Sequence, residues 1–514
     1  MEQIGVSMMP VGWPMGFDAF VPRPVTSFAR RSHKLMTLVT VATCVVCLAA
    51  VFVASAQRVT RGNAEKTILE ALEILRSGEV NSRQRLVAYA MYRRAVAELM
   101  PNWRSRAVLP EEGDPEEFFS PEIFSRLDVV QRPLATTSGL QRTGLGLPLV
   151  GTVEPRRTAD PNAPSTGYVV PATALVIPGA DGALRLVLAN PLRLDTINAS
   201  GSTFPVAMDL EAAIDATQDA GPPFGDGLRY MLRSNQFAYP SQLFFFQPFD
   251  PTTTPVVLVH GLMSTPRMWK PVLKRLLAED DIRKRYQFWF FYYPTGQPVP
   301  FSALQLREAL TDAASHHRLG KPFILIGHSM GGILVRAQVS RITAVEAEEA
   351  VPGITGLPAD SLTRCAVIFE PRNDVSRMIF IATPHRGSSV AVGGIGALGI
   401  HLIALPDRIA SELVGFADVL VPDGDSRLPT SIHGLSPHSK FLQALSRYRP
   451  AVPSRSIIGI RRSRNALGSS DGVVPYSSSH LDFAESEVLI PAGHGGFSHP
   501  KAIAEIVRIL KVAQ

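Results

Sequence analysis

Ser329 stands in the stretch Phe323-Ile324-Leu325-Ile326-Gly327-His328-Ser329-Met330-Gly331-Gly332. A short apolar run ends there in Gly-x-Ser-x-Gly, and helical character resumes at Ile333-Leu334-Val335-Arg336-Ala337. The pattern predicts a strand, a sharp turn and a helix, with Ser329 Oγ raised from the sheet edge at the positive end of the helix. Gly327 and Gly331 fall where a β-carbon would meet the neighbouring strand or helix. A serine hydroxyl is a poor nucleophile at neutral pH and needs a base that an acid holds in place. Downstream, Ser470-Asp471-Gly472-Val473-Val474-Pro475 forms a turn signal, and Pro491-Ala492-Gly493-His494-Gly495-Gly496 a glycine loop directly after an apolar run. The order serine, acid, histidine, each at a strand end, predicts Asp471 as the orienting acid and His494 as the base. The bland alternatives are a serine that caps a helix, an Asp-Gly turn former and a loop histidine of no consequence.

Two more positions complete the chemistry. A developing oxyanion needs two backbone N–H donors. One is expected from Met330, just after the nucleophile. The other is expected from Leu262, in the loop His260-Gly261-Leu262-Met263 that follows the first apolar run. His260 and His328 read as packing residues. His499 precedes Pro500, which marks the first turn of a helix, so His499 is expected to be structural.

These residues require a sheet to carry them. Val256–Val259, Tyr286–Tyr293, Phe323–Ile326, Arg377–Ala382, Ser456–Ile460 and Glu487–Ile490 are short apolar runs, as strands buried on both faces should be. Helical spacing over Ser302–Leu319 and Ala502–Val512 alternates with them, which predicts an α/β fold with a doubly wound, mostly parallel sheet. Residues 388–435 interrupt it before the acid, as an insertion that is either a lid or part of the core.

Taken together, His260-Gly261, Gly327-His328-Ser329-Met330-Gly331-Gly332, Thr383-Pro384-His385-Arg386-Gly387-Ser388, Asp471 and His494 resemble the α/β-hydrolase superfamily. The likeness is to its lipase-like branch, which includes esterases, triacylglycerol lipases and the GPI inositol-deacylases. It covers residues 250–514. It implies hydrolysis of an ester by a serine nucleophile, with no metal and no organic cofactor. Two departures stand out: no Gly-Gly-Gly follows His260, and no disulfide can brace a lid. With the same residues an acyltransferase remains an alternative, and a catalytically inactive membrane-anchored scaffold is a third.

The chain ahead of this region is organised differently. Residues 1–34 are proline-rich, with Arg23, Arg30, Arg31 and Lys34 as strong positive charges. Residues 35–56, LMTLVTVATCVVCLAAVFVASA, carry no charge. As a helix they would span ~33 Å, enough for a hydrocarbon core of ~30 Å. The basic residues ahead of them predict a cytoplasmic N-terminal tail and a catalytic body on the outer, periplasmic or extracytoplasmic side. Ala54-Ser55-Ala56 leaves cleavage of a signal segment, and secretion, as the alternative.

Residues 57–166 are expected to form a helical hairpin, broken at Ser77-Gly78, and then an exposed Pro-, Gly- and Glu-rich linker over 101–166. Residues 167–250 read as a small β-rich accessory region, with a hairpin about Gly179-Ala180-Asp181-Gly182 and a short helix at Asp209–Gln218. The catalytic domain follows over 251–514.

Bulk properties limit the partners. The 514 residues are 46% hydrophobic and 19% charged, with a formal charge of +6. No lysine-rich run interleaves with aromatic residues, so nucleic acid is not an expected partner. Of three cysteines, Cys44 and Cys47 lie in the apolar segment and Cys365 stands apart, which leaves no disulfide framework and no zinc-ligand spacing. The expected partners are an ester or lipid substrate and, through 35–56, a membrane.

Overall fold

Continuous apolar runs form a seven-stranded sheet in the computed structural model. It describes residues 62–512 apart from 78–80, 111–113, 133–138, 155–167, 180, 220–230, 232–240, 391–392, 394–402, 404, 406, 414–429 and 462–467. The strands are β1 (Gln242–Phe245), β2 (Thr254–Val259), β3 (Tyr286–Tyr292), β4 (Phe323–His328), β5 (Val375–Ile381), β6 (Ser454–Gly459) and β7 (Ser486–Ile490). Their order is β7-β6-β5-β4-β2-β3-β1. All pairs are parallel except β1 with β3. All six residues of β4 are buried. Helices on both faces exclude water from such a strand, so it needs no alternation of polar residues.

The order explains where a site can form. From β2 the chain moves outward to β3, then returns past β2 to lay down β4 on its other side. The loops that leave the ends of β2 and β4 therefore run in opposite directions, and a crevice opens between them. Val259 at the end of β2 is in register with Gly327 of β4. His260 and Ser329 thus begin the two loops that flank the crevice.

Helix α1 (Val299–His317) packs against α2 (Met330–Gln338), and α3 (Pro500–Val512) closes the chain. Every residue of α2 is buried. So close an approach to the sheet needs glycine at its start: a β-carbon on Gly331 would lie 2.4 Å from the carbonyl oxygens of both Val259 and His260. Both are backbone atoms that cannot rotate away. Gly331→Ala is expected to cost about 1–3 kcal/mol of stability as an overpacking substitution. Thermal unfolding would show a lowered midpoint together with lost activity; an unchanged midpoint would mean that α2 does not sit this close.

Residues 64–514 form one compact unit. Residues 64–76 are helical, and a second helix spans Ser82–Leu99, opened by a capping box between Asn81 and Gln84. The two helices expected here are present. Tyr92 Oη docks the second onto a sheet, donating to Val176 O and accepting from Val176 N–H, each at 2.8 Å.

That sheet corrects the linker expected over 101–166. It has four antiparallel strands, Phe124–Val129, Leu147–Val153, Tyr168–Pro178 and Leu184–Ala189, and two of them lie within the supposed linker. Leu147–Val153 pairs across the division placed at 166/167. Pro148 and Gly151 make this strand look like loop. Gly151 is there because a β-carbon would lie 2.4 Å from the Phe124 ring on the adjacent strand. The hairpin after 167 and the short helix, Leu210–Asp219, form as expected. A second correction concerns the division at 250/251, since β1 precedes it and forms the edge of the core sheet.

Among the described residues no helix is long and apolar enough to cross a membrane, and the span expected at 35–56 lies outside them. Much of the insertion 388–435 also lies outside the described residues. Its described residues Leu405, Ile409 and Leu413 pack with Phe301 and Leu304 of α1.

Candidate active site

The turn between β4 and α2 places Ser329 at φ 54° and ψ −126°. Such a conformation costs a non-glycine residue ~1–3 kcal/mol, and tight packing on both sides maintains it. The Ser329 N–H donates to Ile381 O of β5 (2.9 Å), while Gly332 N–H donates to Ser329 O (2.9 Å). The serine side chain makes no capping bond to the helix. Its hydroxyl goes instead to His494 Nε2, at 2.8 Å.

His494 lies in the glycine loop after β7, and its Nδ1 is 2.8 Å from Asp471 Oδ2. A carboxylate can only accept, so Nδ1 carries the proton and Nε2 is left free to accept from Ser329. Asp471 is buried, and its other oxygen accepts from the N–H groups of Val473 (2.8 Å) and Val474 (2.7 Å). Three donors fix the carboxylate and, through it, the plane of the imidazole. The structure brings Ser329, His494 and Asp471 into one hydrogen-bonded chain.

The two expected oxyanion donors belong to the residue after Ser329 and to the residue after Gly261, which approaches Ser329. Met330 N–H is at the first position of α2, where an amide has no acceptor within the helix. Leu262 follows Gly261, whose missing β-carbon would lie 2.9 Å from Ser329 Cβ. Nearby bonds hold this loop: Tyr293 Oη donates to His260 O (2.7 Å), and Met263 N–H, at φ 56°, donates to Thr295 Oγ1 (3.2 Å). His260 is fully buried and stacked on Tyr293, and burial holds its pKa down at about 4. It braces the loop as a neutral ring.

His328 does more than pack. Its Nε2–H donates to His494 O at 2.9 Å, so the residue before the nucleophile ties down the loop of the histidine. Burial, and then the neighbouring His494, push its pKa down to about 3, and the ring stays neutral. Adjacency to Ser329 was its only mark in the sequence. His499 is apart from this chain of contacts. Its Nδ1 accepts from Lys501 N–H (3.2 Å) and its carbonyl from Ile503 N–H (3.1 Å), so it caps α3.

The segment Thr383–Ser388 proves to be a strut. A β-carbon on Gly332 would lie 1.9 Å from Thr383 Oγ1, so the segment packs directly on the nucleophile turn. At its other end Ser388 Oγ donates to Val473 O (2.5 Å), next to the acid. Arg386 donates to the carbonyls of Ser477 (2.9 Å) and His480 (2.6 Å).

His480 joins this arm to β7. Its Nδ1 is 2.7 Å from Glu487 Oε2 and its Nε2 2.9 Å from Asp482 Oδ1. Both contacts are attractive only when the ring is doubly protonated, and the Glu487 bond, chiefly, holds its pKa above the ordinary histidine range. The raised folded pKa fixes the sign of the effect. The stabilisation is complete below the unfolded value of about 6.5 and is lost as pH rises through the folded value. Partial exposure to solvent keeps it small. Denaturant unfolding at pH 6 and pH 9 should show His480→Gln costing more at the lower pH; an equal cost at both would remove the imidazolium from the account.

Comparison with known proteins agrees with this architecture. The model of the alpha/beta hydrolase family matches residues 256–506, and through this region the chain belongs to the α/β-hydrolase superfamily. Among solved structures it is similar to the mature lipase BlEst2 of Bacillus licheniformis, with 16% identity over 53% of this chain and 99% of that one (TM-score 0.34). It is also similar to EstA of Clostridium botulinum, with 13% identity over 56% and 97% (TM-score 0.32). Phospholipase PlaB of Legionella pneumophila shares 20% identity over 51% and 61% (TM-score 0.31). These identities and scores are too low to carry any of those proteins' substrates to this chain. No curated protein matches the sequence.

Proposed function

We propose that this chain is a membrane-anchored serine hydrolase that cleaves a carboxylic, lipid-like ester through an acyl-enzyme. The observation that supports this reading most is the continuous chain Ser329 Oγ–His494 Nε2–His494 Nδ1–Asp471 Oδ2, with both of its hydrogen bonds at 2.8 Å. In the first half-reaction Ser329 Oγ attacks the ester carbonyl while its proton passes to His494 Nε2. The oxyanion forms against the amides of Leu262 and Met330. Each such donor is worth on the order of 10²–10³-fold in rate. The imidazolium, held by Asp471, returns the proton to the leaving alcohol. Water, activated by the same histidine, then frees the acid and restores the serine. The anchor reading rests on the uncharged segment 35–56, and the basic residues ahead of it are the reason to orient the catalytic body to the outer side of the membrane.

Rapid-mixing kinetics with p-nitrophenyl butyrate test the proposal. An acyl-enzyme predicts a burst of nitrophenol of up to one equivalent per protein wherever deacylation is the slower step. Turnover is also expected to vanish with Ser329. Hydrolysis of the ester at the same rate in Ser329→Ala would overturn the proposal.

A further inference from the structure

Arg461 lies two residues beyond the end of β6, and its N–H donates to Ser470 O (2.9 Å), one residue before the acid. Its side chain runs over two glycines, one beside each member of the acid–base pair. A β-carbon on Gly472 would lie 2.5 Å from Arg461 Nη1, and one on Gly493 would lie 3.1 Å from Nε. Gly472 follows Asp471 and Gly493 precedes His494, so both loops leave bare backbone where the arginine passes. Arg461, Pro491, Ala492 and Gly493 line a cavity of about 540 Å³.

Among the described residues the Arg461 side chain has no hydrogen-bond or ion-pair partner. Other arginines are matched: Arg372 with Asp374 and Arg508 with Glu505, each at 2.6 Å. An exposed guanidinium that passes over two glycines at a cavity wall, with no counter-ion among the described residues, is suited to a planar or tetrahedral oxyanion.

The chemistry of the leaving group says which part of a substrate comes here. His494 delivers its proton to the leaving oxygen, which must then lie within ~3 Å of Nε2. The alcohol half of the ester consequently departs past the His494 loop, and the residues just before His494 form the cavity. We propose, resting on the hydrolase reading above, that Arg461 binds a phosphate-like oxyanion on the alcohol half of the ester. Arg461 is a binding residue, selecting substrate without touching the reacting bond.

The test compares 1-butyrylglycerol with 1-butyrylglycerol 3-phosphate, using the full chain, Arg461→Gln and Arg461→Lys at low salt. The wild type should favour the phosphorylated ester about tenfold in kcat/KM, mainly through KM, as one exposed charge-assisted contact allows. Arg461→Gln should abolish the preference, and Arg461→Lys should keep part of it, since the charge survives without the fork. An equal preference in wild type and Arg461→Gln would overturn the inference, as would a loss shared equally by both esters. Inorganic phosphate provides a separate arm. Arg461-dependent inhibition by it, without a preference between the esters, would show a site for the free anion and also overturn the inference. Failure of the wild type to hydrolyse either ester would instead count against the hydrolase reading. Calorimetric binding of both esters to Ser329→Ala needs no turnover, and the same tenfold preference is expected there.

Discussion

Ser329→Ala should lower ester turnover by on the order of 10³-fold or more and leave the protein folded. The hydroxyl is the atom that forms the acyl bond, and the only hydrogen bond its oxygen makes among the described residues is to His494. Alanine keeps the β-carbon, so the packing around the turn and its backbone strain at φ 54° are unchanged. Some rate over water should survive, because the Leu262 and Met330 amides and the binding surface remain. Turnover would be followed with p-nitrophenyl butyrate and folding by thermal unfolding. Near-normal turnover from a folded mutant would mean that Ser329 is not the nucleophile.

The second large effect separates two histidines five positions apart. His494→Ala removes both the proton acceptor for Ser329 and the partner of a buried carboxylate. Turnover should fall by orders of magnitude with little change in thermal stability, because the ring is partly exposed and its loop is held separately by His328. His499→Ala removes one cap of α3, a loss of about 1 kcal/mol in stability, and should leave kcat nearly unchanged. The opposite pattern would show that the base is misassigned.

Why the site was so legible follows from its physics. A nucleophile turn demands glycine at fixed offsets, and buried parallel strands demand continuous apolar runs. Gly327, Gly331 and β4 therefore announced themselves in a single stretch. Asp471 and His494 could be found because chain order and strand ends restrict where an acid and a base can stand. What escaped was set by contacts distant in sequence. Gly151 looks like a loop residue until the Phe124 ring is laid against it. The edge strand Gln242–Phe245 is four residues long, and its pairing with Trp289–Tyr292 has no local signature. The bond from His328 to the His494 carbonyl spans 166 positions, and nothing near either residue foretells it. Thr383–Ser388 was visible as a motif, but its service as a strut between the nucleophile turn and the acid appears only in three dimensions.

The most direct measurement is covalent labelling of the folded protein with a fluorophosphonate, followed by mass-spectrometric mapping of the adduct. A serine activated by His494 and Asp471 should carry one adduct per chain, on the peptide containing Ser329, and the label should be lost in Ser329→Ala and greatly slowed in His494→Ala. A label on a different serine, or none on protein shown to be folded, would contradict the account.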